Sequence, residues 1–181
     1  MALSVVNGEI SSRESEAIDW ASVQFAQFEH DEKYHREISR LPVQDRLRHM
    51  TLHFAKYAGR LLDGPSGADF RKTATDTMII AISCANILNV DLTKKKVASG
   101  IDLSHGAFVK RLAISAGRMA AACERLDHLE DFPFRTTLED EALIILAASL
   151  DLFSAEGWNP THEMAKRLAP IKSKAIFHGK L

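Results

Sequence analysis

The chain has 181 residues, 46% hydrophobic and 26% charged, which suits one globular domain with a sizeable core. Its formal net charge of −1 creates no global field for nucleic acid or an anionic membrane, so neither is an expected partner. The start, "MALSVVNGEISSRES", has no basic region leading into a long apolar run, and the longest apolar stretch, "ALIILAASL" (142–150), is too short to span a bilayer. Cys84 and Cys123 belong to no CxxC or CxxH pattern, so two reduced thiols and a soluble, cytoplasmic protein are expected.

Alternating apolar runs are absent, and apolar residues recur at helical spacing instead. Ser11 followed by Glu14 reads as a capping box for a helix over 12–29, with Ile18, Ala21, Phe25 and Phe28 as its apolar stripe. "DEKYHREISR" adds a short charged helix. Pro42 suits the first turn of a helix over 42–63, with Leu47, Met50, Phe54, Ala58 and Leu61 on its core face. "DGPSGAD" (63–69) is a turn cluster, and a very apolar helix follows over 70–89. Asp91 can cap a short helix that stops near Gly100. Ser104 is an N-cap for a long helix to about residue 128. "HLEDFPF" connects it to another over 136–155, and Pro160 opens a last helix reaching about residue 174.

The chain repeats itself. "FRKTATD" (70–76) returns as "FRTTLED" (134–140), aligning Phe70 with Phe134, Arg71 with Arg135, Thr73 with Thr137 and Asp76 with Asp140. The flanks follow: "AGRLL" (58–62) matches "AGRMA" (116–120), and "TMIIAISCA" parallels "EALIILAAS". This order implies an internal duplication, each copy an α-hairpin plus a short helix that cannot bury its apolar stripe alone. The expected architecture is all-α, a four-helix bundle with pseudo-two-fold symmetry and an N-terminal helical arm. Its parts are the arm at 1–41, a first repeat at 42–100 and a second at 101–181, in one compact domain.

"TDTMIIAISCANILNVDL" (75–92) and "EDEALIILAASLDLFSAEGWNP" (139–160) resemble the second helix of the all-α nucleoside triphosphate pyrophosphatases, the MazG-like family that includes dimeric dUTPases. "AIDWASVQFAQFEH" (17–30) is similar to that family's Trp-containing lead helix. The resemblance implies NTP or dNTP pyrophosphohydrolysis at a carboxylate-bound Mg²⁺ and frequent self-assembly, so a homo-oligomer is one expectation. Completion of the bundle within one chain is the other. Hard oxygen ligands suit Mg²⁺, which neutralises the phosphates while water attacks.

The chain departs from that motif. Asp76 and Asp140 fit its final Asp, but Thr73 and Thr137 stand where the family has Glu. The acidic positions of the first helix fall near Lys56, Tyr57 and Arg60, and in the second copy near Ile114, Ser115 and Arg118. An active enzyme would draw on Asp76, Asp140 and Glu139 as catalytic groups, with Asp76 and Asp140 on the metal and off-motif acids such as Asp151 or Glu124 added.

The substituted residues suggest other roles. His49, His53, Lys56 and Arg60 share one helical stripe, and Arg111, Arg118 and Arg125 recur every seven residues. One reading has Lys56, Arg60, Arg118 and His53 bind phosphate directly, replacing the metal. A second pairs Arg60 with Asp76 and Arg118 with Asp140 inside the bundle, and a third leaves a solvated basic face. Asp45, His49 and His53, one turn apart, form a weak transition-metal pattern without a third well-spaced ligand. The resemblance implies that Lys94 in "TKKK" (93–96) can reach the triphosphate, and Lys166, Arg167, Lys172 and Lys174 form a comparable basic tail, but a solvated face is the favoured reading of both runs. Aromatics for base stacking do not interleave with them. No Ser-His-Asp, Cys-His, GxGxxG or P-loop pattern is present, and Trp20 and Trp158 read as packing anchors.

The leading expectation is a divergent MazG-like protein that binds a nucleotide or another phosphorylated small molecule between the copies. The alternatives are an active Mg²⁺-dependent pyrophosphohydrolase and a non-catalytic interaction module.

Overall fold

A computed structural model describes residues 17–97 and 103–174. These are all-helical: α1 (Trp20–Tyr34), α2 (Arg36–Ser39), α3 (Val43–Leu62), α4 (Gly67–Ile87), α5 (His105–Asp127), α6 (Phe134–Glu156) and α7 (Pro160–Lys174), with a 3-10 turn at Leu92–Lys94. No helix among them is long and apolar enough to cross a membrane.

Local chemistry sets the boundaries. Asp19, Ser66 and Ser104 are N-caps, accepting hydrogen bonds from the backbone N–H of Ser22, Asp69 and Ala107. Gly157 ends α6 with φ +65°, a left-handed conformation that glycine adopts without a Cβ clash. Asp91 caps only the 3-10 turn, accepting from Thr93 N–H, rather than a helix continuing toward Gly100. Ser11, Glu14 and Gly100 lie outside the described residues.

The core is a helical bundle. Helices α3 and α4 pair as one hairpin and α5 and α6 as another, and α3–α5 and α4–α6 contacts close the ring. The α3 stripe Leu47, Met50, Phe54, Ala58 and Leu61 is wholly buried. It meets Met78 and Ile82 of α4, Phe108, Leu112 and Met119 of α5, and Leu138 and Ile145 of α6 in one apolar cluster. Trp20 and Trp158 pack partly buried against that cluster.

Outside the ring, α1 and α7 both lie against α4. The orientation of α1 corrects the sequence expectation. Phe25 and Phe28 are 61% and 49% exposed, whereas Gln27 and His30 are 2% and 3% exposed. The reason lies in what α1 meets. Gln24 Nε2 donates to Asn86 Oδ1 and the Val90 carbonyl, Gln24 Oε1 accepts from Leu92 N–H, and Asn86 Nδ2 donates to the Gln24 carbonyl. Polar partners on α4 and its following turn draw the polar face inward and leave the phenylalanines in solvent. The helix also begins at Trp20 and runs on to Tyr34, past the expected end at 29.

Candidate functional site

A cavity of about 300 Å³ opens beside the first hairpin. Its walls come from α1, the turn at His35, α2, α3, α4 and α7. Neither α5 nor α6 contributes, so it does not lie in the seam between the two hairpins, where the sequence reading placed the ligand. Apolar walls come from Ile38, Met50, Ile79, Ile80, Leu168 and Ile171.

The helical period brings His49, His53, Lys56 and Arg60 onto this one side of α3, and all four line the cavity. Lys56 and Arg60 are exposed at its mouth, and His49 and His53 are half-buried. His53 Nδ1 lies 3.0 Å from Tyr57 Oη and 3.1 Å from Lys56 Nζ, while its Nε2 lies 3.0 Å from His49 Nε2. An ammonium can only donate, so His53 Nδ1 accepts. For neutral rings, His53 then carries its proton on Nε2 and donates to His49, whose own proton sits on Nδ1. Burial, with Lys56 and His49 adding repulsion, lowers the His53 pKa to about 4. Burial first and Lys56 second also lower that of His49. Lys56 itself is held below its usual value by burial and by Arg60.

Arg60 makes no ion pair with Asp76. The Asp76 carboxylate is clasped by Arg167 of α7, with Nε 2.6 Å from Oδ1 and an Nη2 hydrogen bond of 3.1 Å to Oδ2. Arg118 bonds Glu141 rather than Asp140, at 3.2 Å. Neither expected ion pair forms: Arg167 of α7 takes Asp76, and Glu141, one residue after Asp140, takes Arg118. Arg60 makes no hydrogen bond or ion pair among the described residues.

The remaining sequence candidates are scattered. Glu139 pairs with Lys95 at 2.8 Å, and Lys94 pairs with Asp91 at 2.9 Å. Asp140 is exposed in an open groove with Lys95, Lys96 and Arg111, apart from Asp76. Asp151 is buried and Glu124 exposed. Asp45 accepts from Arg48, which also pairs with Asp127 across to α5, so Asp45 does not join His49 and His53.

A Mg²⁺ site of the resembling family needs several converging carboxylates. The cavity holds only Asp31 and Asp76, Arg167 clasps Asp76, and Arg46, Lys56 and Arg60 also line the walls. No three His, Cys, Asp or Glu side chains among the described residues are grouped to hold a metal ion. The residues present do not fit Mg²⁺.

The deep end was not singled out from sequence. Gln27 Nε2 donates to Asp31 Oδ1 at 2.8 Å and Ser83 Oγ at 3.3 Å, and Ser83 donates to Asp31 Oδ2 at 2.7 Å. Burial raises the Asp31 pKa against these hydrogen bonds. Beside them His30 is neutral, its pKa lowered to about 4 by burial and by nearby His35 and Lys172. The available signal was a polar stripe, Gln24, Gln27 and Asp31, at helical spacing on a helix read by its phenylalanines. Arg167 had no such signal, being one base in a basic run.

Comparison with family models, curated proteins and solved structures finds no match for this chain.

Proposed function

We propose that this chain binds a phosphorylated small molecule, a nucleotide in the light of its MazG-like resemblance, in the cavity beside the first hairpin. One observation carries the reading. Lys56 and Arg60 stand exposed at the mouth of a partly open cavity, and Arg60 has no anionic partner among the described residues. Two cations without carboxylate partners on one helix face are suited to a phosphate, while the neutral His53 beside them, its one N–H given to His49, serves to orient Lys56 rather than to donate to the anion. Arg118 and Lys94 are outside this reading, since each already holds a carboxylate elsewhere.

Binding without hydrolysis is the favoured form. Asp76 is held by Arg167, Glu139 by Lys95, and Asp140 faces another groove. On this reading the two hairpins are diverged copies of one MazG-like unit, and the proposed ligand cavity lies beside the first.

Thermal unfolding against NTPs, dNTPs, nucleoside monophosphates and pyrophosphate, with and without Mg²⁺, tests this. A ligand that binds the native state raises the midpoint by mass action. A metal-independent rise, lost in Arg60→Ala, is expected. A rise that requires Mg²⁺, with pyrophosphate released, would restore the pyrophosphohydrolase alternative. No rise with any compound would leave the interaction-module alternative.

A further inference from the structure

Unpartnered polar atoms concentrate at the closed end of the same cavity. Both ring nitrogens of His30, Oε1 of Gln27, Oγ of Ser39 and Nε of Arg46 are buried with no hydrogen-bond partner, and all four residues line the cavity. Leaving such an atom dry costs about 1–3 kcal/mol, so isolated examples are uncommon and a cluster facing one space implies a missing partner.

The atoms define what that partner offers. Gln27 Oε1 only accepts, so the ligand must donate to it. Arg46 Nε–H only donates, so the ligand must also accept. A neutral His30 presents one N–H and one lone pair, and the Ser39 hydroxyl serves either way. A bare phosphate does not satisfy this set, because its oxygens would face Gln27 Oε1 and the buried Asp31. A neutral planar ring with donors and acceptors around its edge does. Ile79, Ile80 and Leu168 supply apolar surface for its faces. The exposed mouth, at Lys56 and Arg60, is the anion end. The volume, about 300 Å³, is at the small end of ligand pockets and so favours a ligand with few phosphates.

We propose that the cavity takes a nucleoside monophosphate, its base held by Gln27, His30 and Ser39 at the closed end and its one phosphate by Lys56 and Arg60 at the mouth. This rests on the anion reading of the mouth and adds the base and the phosphate count.

Calorimetric titration of the full chain, without metal, with AMP, GMP, CMP, UMP, their nucleosides and triphosphates, ribose 5-phosphate and inorganic phosphate decides it. At least one monophosphate should bind tenfold or more tighter than ribose 5-phosphate and no weaker than its triphosphate. Gln27→Leu and His30→Leu, checked for native helicity, should each lower that affinity tenfold or more. If ribose 5-phosphate equals every monophosphate, the base subsite is wrong and the anion site stands. If nucleosides bind as well as monophosphates, the anion site is wrong. A triphosphate tenfold tighter than its monophosphate overturns the single-phosphate assignment, and no binding overturns both readings. Should a variant fail to fold, the wild-type ligand series still separates these outcomes.

Discussion

The two hairpins share sequence words but not circumstances. The word at 70–76 lies in α4, flanked by α1 and α7, whereas the word at 134–140 opens α6 on a side that neither covers. Phe70 is buried against Phe108 and His105, and Phe134 is only partly buried. Asp76 is enclosed and clasped by Arg167, while Asp140 is exposed. Equal words therefore acquire unequal roles from the helices laid over them. What distinguishes a cavity from an open surface here is the covering, which neither word contains.

Acid should expose the largest difference. His30 and His53 have folded pKa values lowered to about 4, against an ordinary 6.5. The unfolded chain takes up these protons first as pH falls, so stability is full above about 6.5 and declines toward about 4. For the deeply buried His30 this amounts to about 3 kcal/mol. Urea unfolding at steps from pH 7 to 4 should show the decline, and His30→Leu should flatten it. An unaltered slope in that variant would remove His30 from the account.

The paired aspartates come next. Asp76→Asn removes a charge-assisted partnership and should cost about 1.5–3 kcal/mol, read as a lower denaturation midpoint. Asp140→Asn, on an exposed site, should stay within about 0.5 kcal/mol. Equal effects would mean that α7 does not distinguish the two hairpins.

A smaller effect concerns binding alone. Arg60→Ala should weaken nucleoside monophosphate affinity about tenfold, or about 1.4 kcal/mol, with helicity unchanged. Arg118→Ala, whose guanidinium holds Glu141 away from the cavity, should leave affinity within about twofold. Matching losses in both would move the site to the seam between the hairpins.

The smallest effect should be the same in both hairpins. Gly59 and Gly117 sit inside α3 and α5, and a Cβ at either position meets open space. Alanine at each should raise stability by about 0.5–1 kcal/mol in thermal unfolding. Destabilisation at one alone would mean that this glycine faces a close neighbour.

The ring was readable from sequence because its signals are local. A 3.6-residue apolar period, the Ser104 cap and the turn at 63–69 act within a few residues, and they yield α3, α4, α5 and α6 nearly as found. The basic side of α3 was readable for the same reason. Partnership was not. Arg167 reaches Asp76 from 91 positions away, and Ser83 donates to Asp31 across 52. The inversion of α1 likewise depends on Asn86 and the Val90 carbonyl, which only the assembled fold brings near Gln24.

The position of Arg167, Leu168 and Ile171 in the last described helix has a consequence for the order in which the protein comes into being. The ribosome delivers α1 first and α7 last of the described helices, and domains begin to fold from the N-terminal side during synthesis. The four-helix ring is complete in sequence at Glu156, yet the cavity lacks one wall until α7 has emerged and docked. Until then Asp76 lacks its Arg167 partner, and one side of the cavity has no wall. The cavity is thus reserved for a chain translated through α7, and a nascent bundle still on the ribosome lacks it.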